Sequence, residues 1–563
     1  MMPRPLFLKS LTIYAVISSF VSICQADYIG ADFVAYVTVA RRAISQPMQA
    51  ITGYWSPLFS WLMIPLLSCG IDDLIAGRLV LLTSGAIYLW AVDRFTRLIC
   101  PGNSPGDRLI QIGMMACSVI QASIWATYLL DPDLLANAAI YLYFGLIFQS
   151  EAESSPPRRI FIAGLFAGIA YLAKAYMLPF CLLHFLLTRL VLRSVTPRTS
   201  RPPILSLASL RIVCLFGMGF GLMAGSWLFC LSAKYGHPTF STAGAANHAN
   251  VSRENFSKDP LWNPGLTPDF IFEPHLAPDW SPFQDPASFL YQIQLILHNT
   301  GNCVGLIPLW IAVFFVSLWV IRSRRIELSS GEKTYFVWST MTVFVYCAGY
   351  TAVNLEARYI VPTVVPMLCL SSLIMGRAFL VVGAARVDNS PSQLCSTADP
   401  GDIAIIRPTQ TSFLTGAWAA TAVVLLVSLT SGIDIHGLIR NATAHPQSIK
   451  MKKFRIIAEQ LAASKIPDLA SAANNWHLGL YIAYAANRLP NYWGTPLAQT
   501  EQQIFQDLDS KDVKIYFRFF IDAGEFASGQ PEIPPEEGHL WTRLLTIRHP
   551  ELSPWAVQVD IRH

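Results

Sequence analysis

The sequence predicts a polytopic α-helical membrane protein with a small α/β domain at its C-terminal end. Of its 563 residues, 53% are hydrophobic and only 13% are charged, whereas a soluble globular protein carries about 25% charged residues. Many apolar runs of about 20 residues, the length that crosses a bilayer as a helix, account for the difference. Beyond the last of these runs the composition becomes that of a soluble domain. Composition and motifs give no indication of nucleic-acid binding.

About eleven transmembrane helices are predicted, and the charges between them predict which side of the membrane each loop faces. Short loops rich in Lys and Arg stay on the cytoplasmic side, and one alternating assignment places every such loop there. The first loop (27–73), the long loop 232–298 and the tail from about residue 434 then face outside. The predicted spans are 9–26, 74–93, 109–128, 134–150, 160–174, 176–192, 211–231, 301–321, 335–351, 359–379 and 411–432.

The chain therefore divides into a transmembrane domain, residues 1–433, and an extracytoplasmic α/β domain, residues 434–563. Residues 1–26 also resemble a signal peptide, but the topology closes with the first helix retained, which we expect. The tail contains neither a Gly-rich phosphate loop nor a nucleotide fingerprint. Its predicted helices are 452–463 and 476–487, and its predicted strands are 468–473, 512–519, 541–548 and 555–561.

The two long outer loops contain segments that are too short or too polar to span the membrane. Two membrane-surface helices are predicted in the first loop, at 31–45 and 57–68, because the run PLFSWLMIPLLS is apolar but short. The long loop is dense in Pro, Asp and Trp. Its aromatic residues favour an ordered cap over the membrane surface, with a Pro-rich linker as the alternative.

Asp32 is the first candidate for chemistry. An aspartate before an apolar periodic run is a good helix N-cap. The same carboxylate lies near the outer surface, four residues before Tyr36 on one helix face, with Arg41 further along that helix. A carboxylate placed there is suited to orient, or to accept a proton from, an attacking hydroxyl.

Lys174 and Arg358 are candidate cations at the outer ends of predicted spans. Lys174 interrupts the apolar stretch AGLFAGIAYLAKAYMLPF, and an ionisable residue inside such a stretch indicates function unless its side chain extends to the interface. Arg358 begins a span, and its fork of donors suits phosphate, with an ion pair to Glu356 as the alternative.

Other polar residues leave two interpretations open. Asp131 and Asp133 form a DPD turn, which is typical of simple turn chemistry and also of acceptor binding or a weak divalent-ion site. Arg78, at the outer start of the second span, either anchors its helix or faces a cavity. The histidines of the long loop lack ligand spacing, and the eleven cysteines are scattered through apolar segments, so the histidines and cysteines predict no metal site.

Five features in this order resemble the GT-C glycosyltransferases, more narrowly the bacterial group of protein O-mannosyltransferases and lipid A aminoarabinose transferases. They are the outer-loop Asp32, a proline-aromatic segment Ser56-Pro57-Leu58 with Trp61, the run AGRLVLL, a lysine turn Ala173-Lys174-Ala175, and an Arg358-Tyr359 run with Pro362 and Pro366. The chain departs from the group at Phe33, where a second acid is common, and at Ala175, where glycine is usual. The resemblance covers most of residues 27–380.

The resemblance implies an integral-membrane enzyme that transfers a sugar from a polyprenyl-phosphate-linked donor to a glycan, lipid or protein acceptor. It implies Asp32 as the catalytic carboxylate. Lys174, Arg358 and Arg41 would bind the donor phosphate. Asp133, Tyr36, Tyr359 and Arg78 would line the acceptor side or the cavity. No cofactor is implied, although a divalent cation is left open. A bacterial inner membrane is the expected location, and a lipid-linked sugar flippase or a polysaccharide polymerase or ligase are the alternatives.

Overall fold

The structure is a computed structural model, and it describes most of the chain with gaps. The described segments are 5–26, 28–100, 105–150, 156–195, 206–251, 280–306, 330–353, 357–360, 448–474, 476–486, 501–520, 541–547 and 556–562, together with some single or paired positions between them.

The described residues between 5 and 360 form a helical bundle. Its helices, in chain order, are α1 (Pro5–Cys24), α2 (Ala31–Ser45), α3 (Pro57–Ser68), α4 (Asp73–Ile99), α5 (Pro105–Ile124), α6 (Asp133–Ser150), α7 (Arg158–Ala173), α8 (Met177–Val195), α9 (Leu207–Tyr235), α10 (Ala243–Asn250), α11 (Pro286–Leu306) and α12 (Ser330–Thr351). Short helical turns lie at Pro47–Ala50, Trp125–Leu129 and Ala357–Ile360.

Four helical stretches within the described residues are long and apolar enough to cross a membrane. They are Pro5–Cys24, Asp73–Ile99, Ile110–Thr127 and Ser209–Tyr235. The outer faces of α1 and α9 expose large apolar side chains, including Ile23 at 76% and Phe229 at 74%. Side chains of this kind are stable when exposed to lipid, so the protein is an integral membrane protein.

Helices α7 and α9 pack backbone to backbone through glycines. A Cβ atom added at Gly164 would lie 2.2 Å from the carbonyl oxygen of Phe216, and one added at Gly219 would lie 2.1 Å from that of Phe161. Small residues allow membrane helices to approach this closely, and the pair therefore has the geometry of a glycine-mediated crossing.

Several local signals set the helix ends. Asp72 accepts hydrogen bonds from the backbone N–H groups of Leu74 and Ile75 and so caps α4. Pro57 occupies the first turn of α3, where a missing N–H costs nothing. Gly236, with φ +73°, ends α9 in the left-handed conformation that glycine adopts freely.

One end of the bundle, here named the loop end, gathers α2, α3, the turn between α7 and α8, the segment 236–250 and the turn Ala357–Ile360. The segment 236–250 is tied to the first loop, since the N–H of Thr242 donates to the carbonyl of Gly53 (2.8 Å). It is also tied to α7, since the hydroxyl of Tyr171 donates to the carbonyl of Phe240 (2.7 Å).

Residues 448–562 contain a four-stranded sheet with helices. The sheet order is β1-β2-β4-β3; β1 pairs with β2 in parallel and the other pairs are antiparallel. Its elements are α13 (Ser448–Ala463), β1 (Ser471–Ala473), α14 (Trp476–Ala485), α15 (Glu501–Ser510), β2 (Ile515–Phe520), β3 (Trp541–Ile547) and β4 (Ala556–Arg562).

The predicted surface helices at 31–45 and 57–68 correspond to α2 and α3. The predicted loop 232–298 contains α10, and its last part lies within α11, because the run FLYQIQLILH presents apolar residues at helical spacing. The predicted spans at 301–321 and 359–379 lie largely outside the described residues, and the span at 411–432 lies wholly outside them.

Candidate active site at the loop end

Lys174 lies in the tight turn between α7 and α8 and forms an ion pair with Asp133. α7 ends at Ala173, and the extended backbone of Lys174 turns its ammonium towards the Oδ1 atom of Asp133, the first residue of α6. The side chains are 19% and 7% exposed. Since water screens such a pair little, the interaction is stronger than a surface salt bridge.

The DPD turn that precedes α6 uses its two carboxylates differently. Asp131 Oδ1 accepts a hydrogen bond from the backbone N–H of Asp133 (3.0 Å), which is turn chemistry. Asp133 holds Lys174 through Oδ1. Its other oxygen, Oδ2, is buried and has no hydrogen-bond partner among the described residues. A buried acceptor left in this state is costly unless a ligand supplies a donor.

Aromatic rings form one wall beside this ion pair. The ammonium of Lys174 lies 4.1 Å from the ring centre of Tyr359, and Tyr350 stacks on Tyr359 at 4.7 Å. Attraction between the cation and the ring face adds to the ion pair in fixing Lys174. The turn Ala357–Ile360 thus brings the ring of Tyr359, the residue after Arg358, against Lys174; the side chain of Arg358 lies outside the described residues.

The proline run after Tyr359 is anchored inside the bundle. The hydroxyl of Tyr141 donates to the carbonyl of Pro362 (2.9 Å), and that of Tyr335 donates to the carbonyl of Pro366 (3.0 Å). The carbonyl of Pro362 is free for a side-chain donor because Pro366, four residues further on, has no N–H. The run from Tyr359 to Pro366 therefore connects the aromatic wall beside Lys174 to α6 and α12.

Asp32 lies in the first turn of α2 and is partly buried. The residue at the N-cap position is Gly30, in an extended conformation and without a side-chain cap, so the interpretation of Asp32 as the N-cap is not what the geometry shows. Its neighbour is Tyr481 of α14. Burial raises the pKa of Tyr481 to about 12, and the negative charge of Asp32 contributes to the increase.

The remaining predicted residues of the first loop and α4 are engaged in the fold. Arg41 forms an ion pair with Asp73, with 2.8 Å between Nη2 and Oδ2. Arg78 donates to the carbonyls of Ser22 and Gln25 and so binds the last turn of α1. Tyr36 packs edge-on against the ring of Trp55 at 5.1 Å.

The predicted residues thus fall into two groups at the same end of the bundle. Lys174, Asp133 and Tyr359 form one group. Asp32 and Arg41, on α2, form the other. Among the contacts that the described residues make, none joins Lys174 to Asp32. No cluster of three or more His, Cys, Asp or Glu side chains suited to a metal occurs within the described part of the chain.

Sequence reasoning missed two features of the loop end. The first is the contact of Tyr481 and Tyr484 with the first loop; the spacing of these tyrosines on a short apolar helix was its only signal. The second is a cavity of about 490 Å³ lined by Arg42, Lys234, Phe229 and Phe272, among others. The guanidinium of Arg42 covers the ring of Phe272 at 3.4 Å, a contact that sequence spacing does not indicate.

No protein-family model matches the sequence, and no curated protein matches it. Among solved structures, the chain is similar to ArnT from Cupriavidus metallidurans bound to undecaprenyl phosphate, with a TM-score of 0.52 and 12% identity over 98% of this chain and 97% of that one. The apo state of the same protein gives a TM-score of 0.52 at 13% identity, with 97% of each chain covered. The oligosaccharyltransferase AglB from Archaeoglobus fulgidus gives 0.46 at 11% identity, covering 92% of this chain and 70% of that one. The chain therefore shares the fold of ArnT over almost its whole length.

Proposed function

We propose that the protein is a membrane glycosyltransferase that moves a sugar from a polyprenyl-phosphate-linked donor to an acceptor outside the cytoplasm. The observation that carries this proposal is the fixed ammonium of Lys174, held by Asp133 and Tyr359 at the loop end. The solved structure of ArnT, which shares the fold, is described as bound to undecaprenyl phosphate. A lipid phosphate is the ligand chemistry that a fixed, partly exposed cation at a membrane surface suits.

Lys174 is proposed to bind the donor phosphate. An ammonium has three donors; Asp133 accepts from one, and the others remain for phosphate oxygens. When the glycosyl–phosphate bond breaks, negative charge accumulates on the leaving phosphate, and a cation already in place stabilises it without rearrangement. Arg358, which immediately precedes Tyr359 in the chain, is proposed as the second cation because its fork matches phosphate oxygens.

Asp32 is proposed to orient the acceptor hydroxyl. The acceptor oxygen forms a bond to the anomeric carbon, and the bond from that carbon to the phosphate oxygen breaks with its electron pair going to the phosphate. The hydroxyl proton passes to the carboxylate of Asp32. A carboxylate is a weak base near neutral pH, so its placement contributes more than its basicity. A phosphate acceptor would need no base.

The unpartnered Oδ2 atom of Asp133 is proposed to accept a hydrogen bond from a hydroxyl of the bound sugar. Tyr359 and Tyr350 offer ring faces on the same side, and sugar rings stack on such faces. The sugar is proposed to be a hexose or pentose, and the acceptor a glycan, lipid or protein.

Binding of undecaprenyl phosphate to the protein in lipid nanodiscs tests the donor site. Lys174→Met should weaken binding about tenfold to a hundredfold, which corresponds to the loss of a charged hydrogen bond worth about 1.5–3 kcal/mol. Lys511→Met, at an exposed lysine after α15, is the matched control and should leave binding unchanged. Equal affinity of the Lys174 variant and the control would remove Lys174 from the donor site.

Transfer itself is tested with undecaprenyl-phosphate sugars labelled in the sugar. Asp32→Asn should keep undecaprenyl phosphate binding and lose release of the labelled sugar to the acceptor. Movement of intact donor across the bilayer without cleavage of the glycosyl–phosphate bond would instead establish a flippase and refute the proposal.

The proposed location is a bacterial inner membrane with the loop end and the C-terminal domain outside. Charge distribution between the predicted spans supports it. Alkaline phosphatase fused after residue 563 should be active, since that enzyme requires export, while a green fluorescent protein fusion there should be dark. The reverse pattern would invert the topology.

A further inference from the structure

Helix α14 of the C-terminal domain is bonded to the first loop through a single carboxylate. The hydroxyl of Tyr484 donates to Asp73 Oδ2 (2.8 Å). Arg41 donates to the same carboxylate, from Nε to Oδ1 (3.0 Å) and from Nη2 to Oδ2 (2.8 Å). Asp73 begins α4 and its side chain is 7% exposed. Three elements distant in sequence, α2, α4 and α14, therefore meet at one buried group.

Tyr481 makes the second contact between α14 and α2. It lies three residues before Tyr484, on the same face of the helix, and next to Asp32. Its ring packs on Phe454 of α13 at 5.2 Å. The apolar core runs without interruption from α2 into α13 and α14, so the C-terminal domain is packed on the helix that carries Asp32.

The other face of α2 rests on the membrane bundle. The ring of Phe33 lies against Gly77 of α4 so closely that an added Cβ would come within 2.1 Å of it. Ser60 of α3 donates to the carbonyl of Tyr36 (2.8 Å). The first turn of α2 has no side-chain cap. Contacts from α14 therefore support the Asp32 end of α2 on the side away from the bundle.

We infer that α14 positions the Asp32-bearing helix, with Tyr484 and Tyr481 as positioning residues, an inference that rests on the function proposed for Asp32. The C-terminal domain then serves the reaction without contributing a reacting group. Displacement of a reacting group by about 1 Å is enough to reduce a rate about a hundredfold, so a contact that fixes α2 matters even though it touches no substrate.

Backbone hydrogen exchange of α2 tests the positioning in the full-length protein in nanodiscs. Tyr484→Phe and Tyr481→Phe remove only a hydroxyl each, and amides of residues 31–45 should exchange about tenfold faster in Tyr484→Phe, as expected for loss of a hydrogen bond to a charge. Tyr516→Phe removes a hydroxyl in the separate core formed with Phe505 and Trp541 and should leave exchange in α2 unchanged. Unchanged exchange in both α14 variants would overturn the inference.

Steady-state transfer then separates positioning from simple stability. In both α14 variants kcat should fall about tenfold or more, while KM for the lipid donor and the affinity for undecaprenyl phosphate stay at wild-type values. Faster exchange with unchanged kcat would refute the positioning role. If the wild type transfers no sugar at all, the proposed function fails, whereas the exchange result still decides whether α14 anchors α2.

Discussion

The glycine crossing of α7 and α9 allows a strict test of how the bundle is held together. In Gly219→Ala, the new Cβ atom would lie 2.1 Å from the carbonyl oxygen of Phe161 and 3.0 Å from the backbone nitrogen of Leu165. A carbon and a carbonyl oxygen in contact lie about 3.3–3.6 Å apart. The helices must therefore separate by about 1 Å, and neither obstacle can rotate away, because both belong to the backbone of a helix.

Such overpacking costs about 1–3 kcal/mol, occasionally more. Gly221 provides the matched control on the same helix, because a Cβ atom there meets nothing within 4 Å. Both substitutions gain the same helix propensity of about 1 kcal/mol from replacing glycine by alanine. The difference between the two variants therefore isolates the crossing, and Gly219→Ala should be less stable than Gly221→Ala by about 1–3 kcal/mol.

Thermal unfolding in detergent, followed with a thiol-reactive dye, measures this difference. Cys181, Cys303 and Cys347 are buried in the bundle, so their reaction reports opening of its core. We expect a clearly lower melting temperature for Gly219→Ala than for Gly221→Ala and the wild type. Equal melting of the two variants would refute the close backbone approach of α7 and α9.

Three further predictions concern other parts of the molecule. Arg78→Met should destabilise the protein and increase proteolysis after α1, because Arg78 donates to the carbonyls at the end of that helix. An Arg78→Met variant with the melting temperature of the wild type would contradict this. Asp560→Asn should lower the free energy of unfolding by about 3–5 kcal/mol, because it leaves the buried Arg518 without its charge partner. Replacing Arg518 by Met and Asp560 by Leu together should lower it much less, and urea denaturation measures both changes. Raising the pH should weaken the packing of α14 on α2: Tyr481 ionises near pH 10.0 when unfolded and near 12 when buried, so its contribution is complete below pH 10 and is lost as the pH rises through 12. If the melting temperature of Tyr481→Phe falls with rising pH as steeply as that of the wild type, that last prediction is contradicted.

Local sequence patterns were sufficient for most of the helices. α2 and α3 begin and end where the sequence predicts, because an apolar run, a proline at the first turn and polar flanks act over a few residues. Strands β2, β3 and β4 are predicted for the same reason, from β-branched and aromatic residues, whereas β1 contains neither. Helix α15 was not predicted: in EQQIFQDLDS only Ile504, Phe505 and Leu508 are apolar, and so short a pattern becomes helical only by packing on the sheet.

Partners of the charged side chains could not be predicted from local sequence. Lys174 is recognisable as an ammonium inside an apolar stretch, but its partner Asp133 lies 41 residues away. Arg41 looks like a free ligand for phosphate, yet the carboxylate it binds is 32 residues away and is shared with a tyrosine 411 residues further along. Which charge neutralises which is decided by tertiary contacts, and these determine whether a cation is left for a ligand.

The glycine crossing also links the stability of the bundle to the candidate site. α7 carries Lys174 immediately after its last residue, and α9 ends where Tyr235 accepts a hydrogen bond from Gly53 of the first loop (3.0 Å). A close backbone crossing between these two helices leaves little freedom in the position of Lys174 relative to the loop that bears Asp32. Pushing the helices apart with Gly219→Ala should therefore weaken undecaprenyl phosphate binding as well as lower the melting temperature, and Gly221→Ala should do neither. Loss of stability with unchanged binding would mean that Asp133 and Tyr359 alone hold Lys174 in place.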